Sequence, residues 1–441
     1  MGRDLPIWVM EPDPTEKKDS LARKLADGGT KTARMPETID IDEIKVQLRR
    51  IREHTRDNIH LLARELIDNL SQKYPQVRVK LASDGSEAVR YISGVSGGIN
   101  TISINNSSVV TQELRPGLVS KKFTVVDSYF DEFDLQEREK LDYWDLPRLL
   151  DKNISGTFDV SRKMDGIGQP GAEGDQTKEY LAVLGVNAVS AEDGTCFFLQ
   201  HFTNIYRDLT KAQKVFLIIG LDKIVKTRED ALLQTRCMGI FGLESRLLVI
   251  QPRPDRTPSM DDLVLPPSDK DRELHIVILD NGRSSLAKTK FKDSLLCIGC
   301  LACNRHCPIR RFFTDVGYIW SPRNYLNQFL FGISDSIDVC LHCESCRIEC
   351  PLEIDIPASM WQAKIDHAAK HGRSLHHKIL GMPELLAKLG TAFAPLANWM
   401  TRVRPVRILM ELVTGIDRKT VLPVFHLRTF KKGSSENEHT L

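Results

Sequence analysis

Eight of the ten cysteines fall in two short runs, CIGCLACNRHCP at 297–308 and CLHCESCRIECP at 340–351. Each run reads C-x2-C-x2-C-x3-C followed by proline. Thiols this close together in a reducing compartment act as metal ligands rather than as disulfide partners. The spacing then selects the metal. A structural zinc site presents two C-x2-C pairs with a longer spacer. Three cysteines at intervals of two can instead wrap three corners of a 4Fe-4S cube, while the fourth leads into a helix and reaches the other cube, as in bacterial ferredoxins. The first cluster is therefore expected on Cys297, Cys300, Cys303 and Cys350, and the second on Cys340, Cys343, Cys346 and Cys307. Two clusters tied by crossed ligands leave no open coordination position, so their expected work is passing single electrons. Metal binding would help fold this half of the chain, and cluster removal is expected to melt it. Arg305, His306, His342 and Arg347 lie inside the loops and read as solvated positions, with tuning of potential as the alternative.

The rest of the composition excludes more than it selects. With 441 residues, 41% hydrophobic and 27% charged, the chain has room for two or more domains, and a formal net charge of +2 points to no nucleic-acid partner. The longest apolar stretches, VFLIIGL and HIVIL, are far short of the roughly 20 residues a membrane span needs. The start, MGRDLPIWVMEPDPTEKKDS, lacks the basic segment and apolar core of a signal peptide, so a cytoplasmic location is expected.

Residues 1–40 have no hydrophobic period and read as an extended arm, mobile or lying on a partner. From Ile41 to Tyr74, Ile44, Val46, Leu48, Ile51, Ile59, Leu62, Leu66 and Leu70 recur at mostly helical intervals, giving one long helix or a pair. VRVKLA, NTISIN, KFTVVD, LAVLGVNAV, TCFFLQ, KVFLIIGLD, SRLLVIQ and HIVILD predict strands. Between the first two, SDGSEAVRYI predicts a helix capped by Asp84, with Glu87 completing the box. This alternation specifies an α/β domain over 41–285. Within it, 163–176 reads as a Gly-rich loop and 251–273 as a long Pro- and Asp-rich crossing. The two-cluster ferredoxin domain is expected over 286–370, with helical packing between the runs. A basic helical partner-docking segment is expected over 371–432, where eleven Lys or Arg stand against three Asp or Glu. Residues 433–441 read as a disordered tail. Pro383, Pro395 and Pro405 interrupt the docking segment, which favours a protein partner over peripheral contact with a membrane surface.

Four stretches together resemble the lactate-utilisation protein B family: LHIVILDNGRSSLAKTKFKDSLLCIGCLACNRHCP, IREHTRDNIHLLARELIDNL with SDGSEAVRYI, LGVNAVSAEDGTCFFLQ, and KVFLIIGLDKIVKTREDA. The likeness covers about residues 41–365. It implies a sheet flanked by helices, similar to the sugar-phosphate isomerase and coenzyme A-transferase group. It also implies work within a complex oxidising L-lactate to pyruvate, beside a cysteine-rich heterodisulfide-reductase-like subunit and a third chain, with a flavin-bearing subunit among the possible partners. TGIDRKTVLPVFHLRTFKK looks like the linker preceding such a cysteine-rich module in fused relatives, so that module is expected on a separate chain. Two stretches depart from the family pattern, INNSSVVTQEL at 104–114 in place of a Lys-rich segment and VDSYFDEF at 126–133. These departures favour a second reading, a docking and wiring subunit of a heterodisulfide-reductase-like or electron-bifurcating complex that does not act on lactate.

No catalytic residue set is read, and no dinucleotide fingerprint or P-loop is present. Glu192, in AEDGT, is either a nucleophile of acyl chemistry or part of a capped turn, the latter preferred. Cys196 and Cys237 read as packed thiols.

Overall fold

The computed structural model describes residues 5–10, 41–128, 179–199, 204–243, 262–264, 273–304, 306–309, 321–333, 339–373 and 375–427. They form two compact units, Met1–Trp361 and Gln362–Leu441.

The first unit is built on a six-stranded, all-parallel sheet. Its strands are β2 (Arg78–Ala82), β3 (Thr101–Ile104), β4 (Thr124–Asp127), β5 (Leu181–Gly185), β8 (Lys214–Gly220) and β11 (Glu273–Leu279), in the order β2-β11-β8-β5-β3-β4. Central parallel strands are covered on both faces, so they read as unbroken apolar runs instead of alternating ones. Accordingly every residue of β5 is buried, as is every residue of β8 after Lys214. One face packs against helix α2 (Ile59–Lys73) through Ile59, Leu62, Leu66 and Leu70. The other packs against α3 (Gly85–Val95) and the helical turns over 109–118 through Val89, Ile92, Val110, Leu114 and Leu118.

The run from Ile41 is a helix pair, α1 (Ile41–Asp57) and α2, with Asn58 between them. Asp84 caps α3 by accepting from the Glu87 N–H at 2.7 Å. The return bond of the expected box goes one residue further back, where Glu87 accepts from the Ser83 N–H at 2.8 Å. That shift leaves the other Glu87 oxygen for the Lys80 ammonium at 2.6 Å, and together these contacts hold the Glu87 carboxyl down at about 2.

A second, five-stranded mixed sheet has the order β10-β1-β7-β6-β9, with β1 (Pro6–Met10), β6 (Ala188–Ser190), β7 (Cys196–Leu199), β9 (Ile224–Val225) and β10 (Asp262–Val264). Part of the segment expected to be an extended arm is therefore built into the fold. β1 pairs in parallel with β7, Trp8 stands opposite Phe197 with ring centroids 5.4 Å apart, and Arg228 lies 4.6 Å over the indole. β10 likewise places a short strand inside the stretch expected to be a continuous crossing, antiparallel to β1. The strand expected over 245–251 and the loop over 163–176 lie outside the described residues.

The described residues of the cysteine-rich region hold helices and tight turns, including Pro322–Leu330, Ser345–Ile348 and the start of Ile356–His371. Ser321 caps the first of these through the Asn324 N–H at 3.1 Å, with Pro322 at its first position, where the missing donor costs nothing.

The second unit contains Leu375–Leu380, Pro383–Ala392, Ala394–Met400 and Arg404–Thr414. Pro383, Pro395 and Pro405 each stand in the first turn of a helix, so proline starts these short helices as well as separating them. The following segment is tied back by two polar side chains. Asn398 bonds both the N–H and the carbonyl of Phe425, at 2.9 and 2.8 Å, and the Arg407 guanidinium donates to the carbonyls of Asp417, Arg418 and Thr420. From Gln362 to Leu427 the described buried residues are only Ala363, Gly390, Ala394 and Arg407.

Candidate metal centre

The two cysteine loops repeat one backbone path. The second residue after the leading cysteine is left-handed in both, Gly299 at φ 85° and His342 at φ 52°, and so is the fourth, Leu301 at 64° and Glu344 at 62°. Glycine adopts that conformation freely, whereas His342, Leu301 and Glu344 hold it at a cost in strain, which persists where surrounding structure demands it. The consequence is a chain curled around its sulfurs. The Gly299 N–H points at Cys297 Sγ at 3.3 Å, and the His342 N–H points at Cys340 Sγ at 3.4 Å.

The thiols gather in two sets. Cys303 lies near enough to Cys297, Cys300 and Cys350 for their charges to act on it, and Cys300 feels Cys297 and Cys350. Cys346 in turn feels Cys340, Cys307 and Cys343. Cys307, Cys340, Cys343 and Cys346 also line one cavity, together with Ile309, Tyr325 and Met360. Each set thus takes three members from one run and the last from the other.

Burial, and then the neighbouring thiolates, push Cys300 and Cys303 well above the usual thiol range. Burial also raises Cys346 to about 12 and Cys350 to about 11. Thiolates crowded this closely repel one another unless cations stand between them. Iron supplies those cations, and its binding displaces the protons. Among the described residues no three His, Cys, Asp or Glu side chains converge on a single ion position; a cube spreads its thiolates over separate iron corners. Backbone N–H groups supply the hydrogen bonds that tune such sulfurs: Ala302 to Cys300, Arg323 to Cys303, and Leu352, Glu353 and Ile354 to Cys350. Soft donors, two sets of four and a lining of N–H groups all fit a pair of cubes.

The family model for a 4Fe-4S dicluster domain matches residues 296–355. Lactate utilization protein B of Bacillus cytotoxicus is 24% identical over 385 residues, covering 79% of this chain and 78% of its own. The same-named proteins of Bacillus thuringiensis and Bacillus cereus are 24% identical over 379 residues with the same coverage. The chain is a distant homologue of lactate utilization protein B. It is an iron–sulfur protein whose dicluster domain binds two 4Fe-4S clusters. No solved structure matches it.

In this lactate utilization protein B homologue the first thiol set lies against the α/β sheets. The turn Gly239–Leu243 brings Gly242 so close to the cysteine loop that a Cβ there would stand 1.6 Å from the Cys300 carbonyl oxygen. Helix α1 contributes Arg52, which is fully buried and donates to the carbonyls of Leu295 and Leu296 at 2.6 and 3.0 Å, just before Cys297, and to Gln234 Oε1 at 2.9 Å. Lys223 points its ammonium at the carbonyls of Cys297 and Ile298, 3.5 and 3.4 Å away. Sequence reading missed both cations. The available signal was a polar residue on a buried stripe, since Arg52 and Thr55 fall between Leu48 and Ile59 on the inward face.

The second set is more open. Cys343 is exposed, and the apolar side chains of Leu341 and Ile348 beside it are 64% and 80% exposed. His306 pairs with Glu349 at 2.7 Å, His342 packs edge-on to Trp361, and Arg347 reaches Glu344 and Asp355. Arg305 lies outside the described residues.

Cys196 is buried apart from both sets, whereas Cys237 is buried near Cys300 of the first; burial raises Cys237 to about 12. Glu192 accepts from the Arg228 N–H at 2.9 Å, the first N–H of the helix Arg228–Met238, whose cap is Thr227. The same turn is held by Gly194 at φ 77°, where a Cβ would stand 2.7 Å from Leu70.

Proposed function

We propose that this chain is the electron-transfer subunit of a cytoplasmic, multi-subunit oxidoreductase resembling the L-lactate-oxidising complex. Cys297, Cys300, Cys303 and Cys350 hold the first 4Fe-4S cluster, and Cys340, Cys343, Cys346 and Cys307 hold the second. Single electrons pass through the pair to or from a separate cysteine-rich, heterodisulfide-reductase-like subunit, with a flavin-bearing subunit as a further partner. The observation that carries this reading is the crossed grouping of thiols, Cys350 with the first run and Cys307 with the second. The relatives are named for lactate utilization, which supports a 2-hydroxy acid as the ultimate electron source. Among the described residues no helix is long and apolar enough to cross a membrane.

The second unit suits the docking role. Its described residues bury almost nothing, while Leu385, Leu389, Phe393, Leu396, Trp399 and Leu412 stand exposed beside an excess of basic residues. A surface of that kind fits an acidic protein partner with an apolar centre.

One observation favours the reading in which lactate is not handled by this chain's own α/β domain, a sheet of the isomerase and transferase type. Open α/β sheets bind ligands where the strand order reverses, beyond the carboxyl ends of the strands. Here that place lies between β3 and β5, and Asn105 bonds both the N–H and the carbonyl of Gly185 across it, at 2.8 and 2.9 Å. Ser107 fills the space above, 2.2 Å from where a Gly185 Cβ would stand. The domain then serves as a platform, and the substrate site sits on a partner.

The test is anaerobic purification with iron analysis and electron paramagnetic resonance (EPR). We expect about eight irons per chain and two signals after dithionite. In Cys350→Ser the first cluster should fail while the second keeps its signal. Zinc in place of iron, or loss of the second cluster alone in that variant, would refute the assignment. Lactate-dependent cluster reduction in the native complex separates the lactate reading from the bifurcating one.

A further inference from the structure

The first thiol set is backed by an unusual charge arrangement. Arg52 is fully buried, Arg283 and Arg323 are nearly so, and Lys223 is mostly covered. The carboxylates among them are Asp222 and Glu113. Both meet Arg283, Asp222 at 2.5 Å and Glu113 at 2.6 Å, and Asp222 stands 3.5 Å from Lys223. Arg52 donates only to neutral acceptors. Arg323 donates to Asn324 and, with the Asn327 amide turned, to that side chain at 3.1 and 3.2 Å, also neutral. Among the described residues, four cations against two carboxylates leave an excess of two positive charges beside Cys297 and Cys303. Isolated buried cations are costly unless an anion accompanies them. A cube with four thiolates carries a net charge of about −2 when oxidised and about −3 after accepting one electron. The excess is matched to that anion.

We propose that Arg52, Lys223 and Arg323 form a buried cationic backing that raises the reduction potential of the first cluster above that of the second. This rests on the ligand assignment given above. Burial alone would act in the opposite sense, because a low dielectric disfavours the more negative, reduced state. The same low dielectric leaves the cations unscreened, so their attraction for the incoming electron outlasts added salt. Among the described residues the second set has no such backing. Its charged neighbours Glu344, Arg347 and Asp355 are exposed and mutually paired, and its Cys343 faces solvent.

The experiment is a potentiometric titration of the full-length, cluster-loaded protein with redox mediators, read by EPR for each cluster. The first cluster is identified as the signal missing in Cys350→Ser. In the wild type it should reduce at the higher potential. In Lys223→Gln and in Arg52→Gln its reduction equilibrium should fall about tenfold or more, about 59 mV for one electron, while the second cluster shifts less than about threefold. Arg52→Lys keeps the charge and should restore most of the wild-type value. If Arg52→Gln does not fold, Lys223→Gln carries the test, because its ammonium makes only long contacts, to the Asp222 carboxylate at 3.5 Å and to two carbonyls at 3.4 and 3.5 Å. A first cluster at or below the second in the wild type, or equal shifts in both clusters, overturns the proposal. Failure of the ligand assignment would show earlier and differently, as a wrong iron count or the wrong signal lost in Cys350→Ser.

Discussion

Gly242→Ala tests whether the α/β half of the first unit helps build the first cluster site. The added methyl carbon would stand 1.6 Å from the Cys300 carbonyl oxygen and 2.5 Å from its carbon. Real contacts of that kind stay above 3.0 Å, so the two backbones must separate by roughly 1.4 Å, the difference between those two distances, and neither atom belongs to a flexible side chain. Overpacking of this sort costs about 1–3 kcal/mol. At roughly 2.1 cal/mol/K of unfolding entropy per residue, that is a fall in Tm of only about 1–4 °C for a unit of this size. The larger effect should be on iron. Cys300 is carried directly on the displaced peptide, so the first cluster should be lost while the second, whose loop lies elsewhere in the sequence, is retained. Anaerobic reconstitution followed by iron analysis should give about four irons in place of about eight, with unchanged far-UV circular dichroism. Wild-type iron content and both signals in Gly242→Ala would refute the argument that this contact sets the position of the loop.

Two further outcomes follow from neighbouring groups. Glu192→Gln keeps an acceptor for the Arg228 N–H, so it should cost no more than about 1 kcal/mol and leave turnover of the native complex unchanged; a large loss of turnover would revive the nucleophile reading. His275 is buried between Phe216, Tyr91 and Glu273, and burial lowers it to about 4. The unfolded chain binds that proton near pH 6.5 and the folded one only near 4, so the stabilisation is complete above about 6.5 and is lost as pH falls toward 4, by up to about 3 kcal/mol. Urea unfolding across that range should show this slope in the wild type and a weaker one in His275→Gln; equal slopes would contradict it.

The features legible in the sequence are those with a local cause. β5 and β8 are unbroken apolar runs because both sheet faces are covered, and α2 shows its buried stripe directly. Asp84 caps α3 because its carboxylate and the Glu87 N–H are three residues apart. Where the reading fell short, the deciding partner was distant. Pro6–Met10 lacks any period of its own and becomes a strand because β7 and β10 flank it. Arg52, read only as part of a helix, acquires its role because Leu295, Leu296 and Gln234 come to it from far along the chain.

Metal type and cluster number follow from sequence alone, because thiolate identity and short spacing restrict what a curled loop can bind. The charge around the first site does not. Arg52 is 244 positions from Leu296 and 243 from Leu295, the carbonyls it holds, and only the packing of α1 against the cysteine loop removes that cation from water and leaves its guanidinium donating to neutral acceptors. Burial and pairing are properties of the folded whole, and they decide how strongly the first site draws an electron.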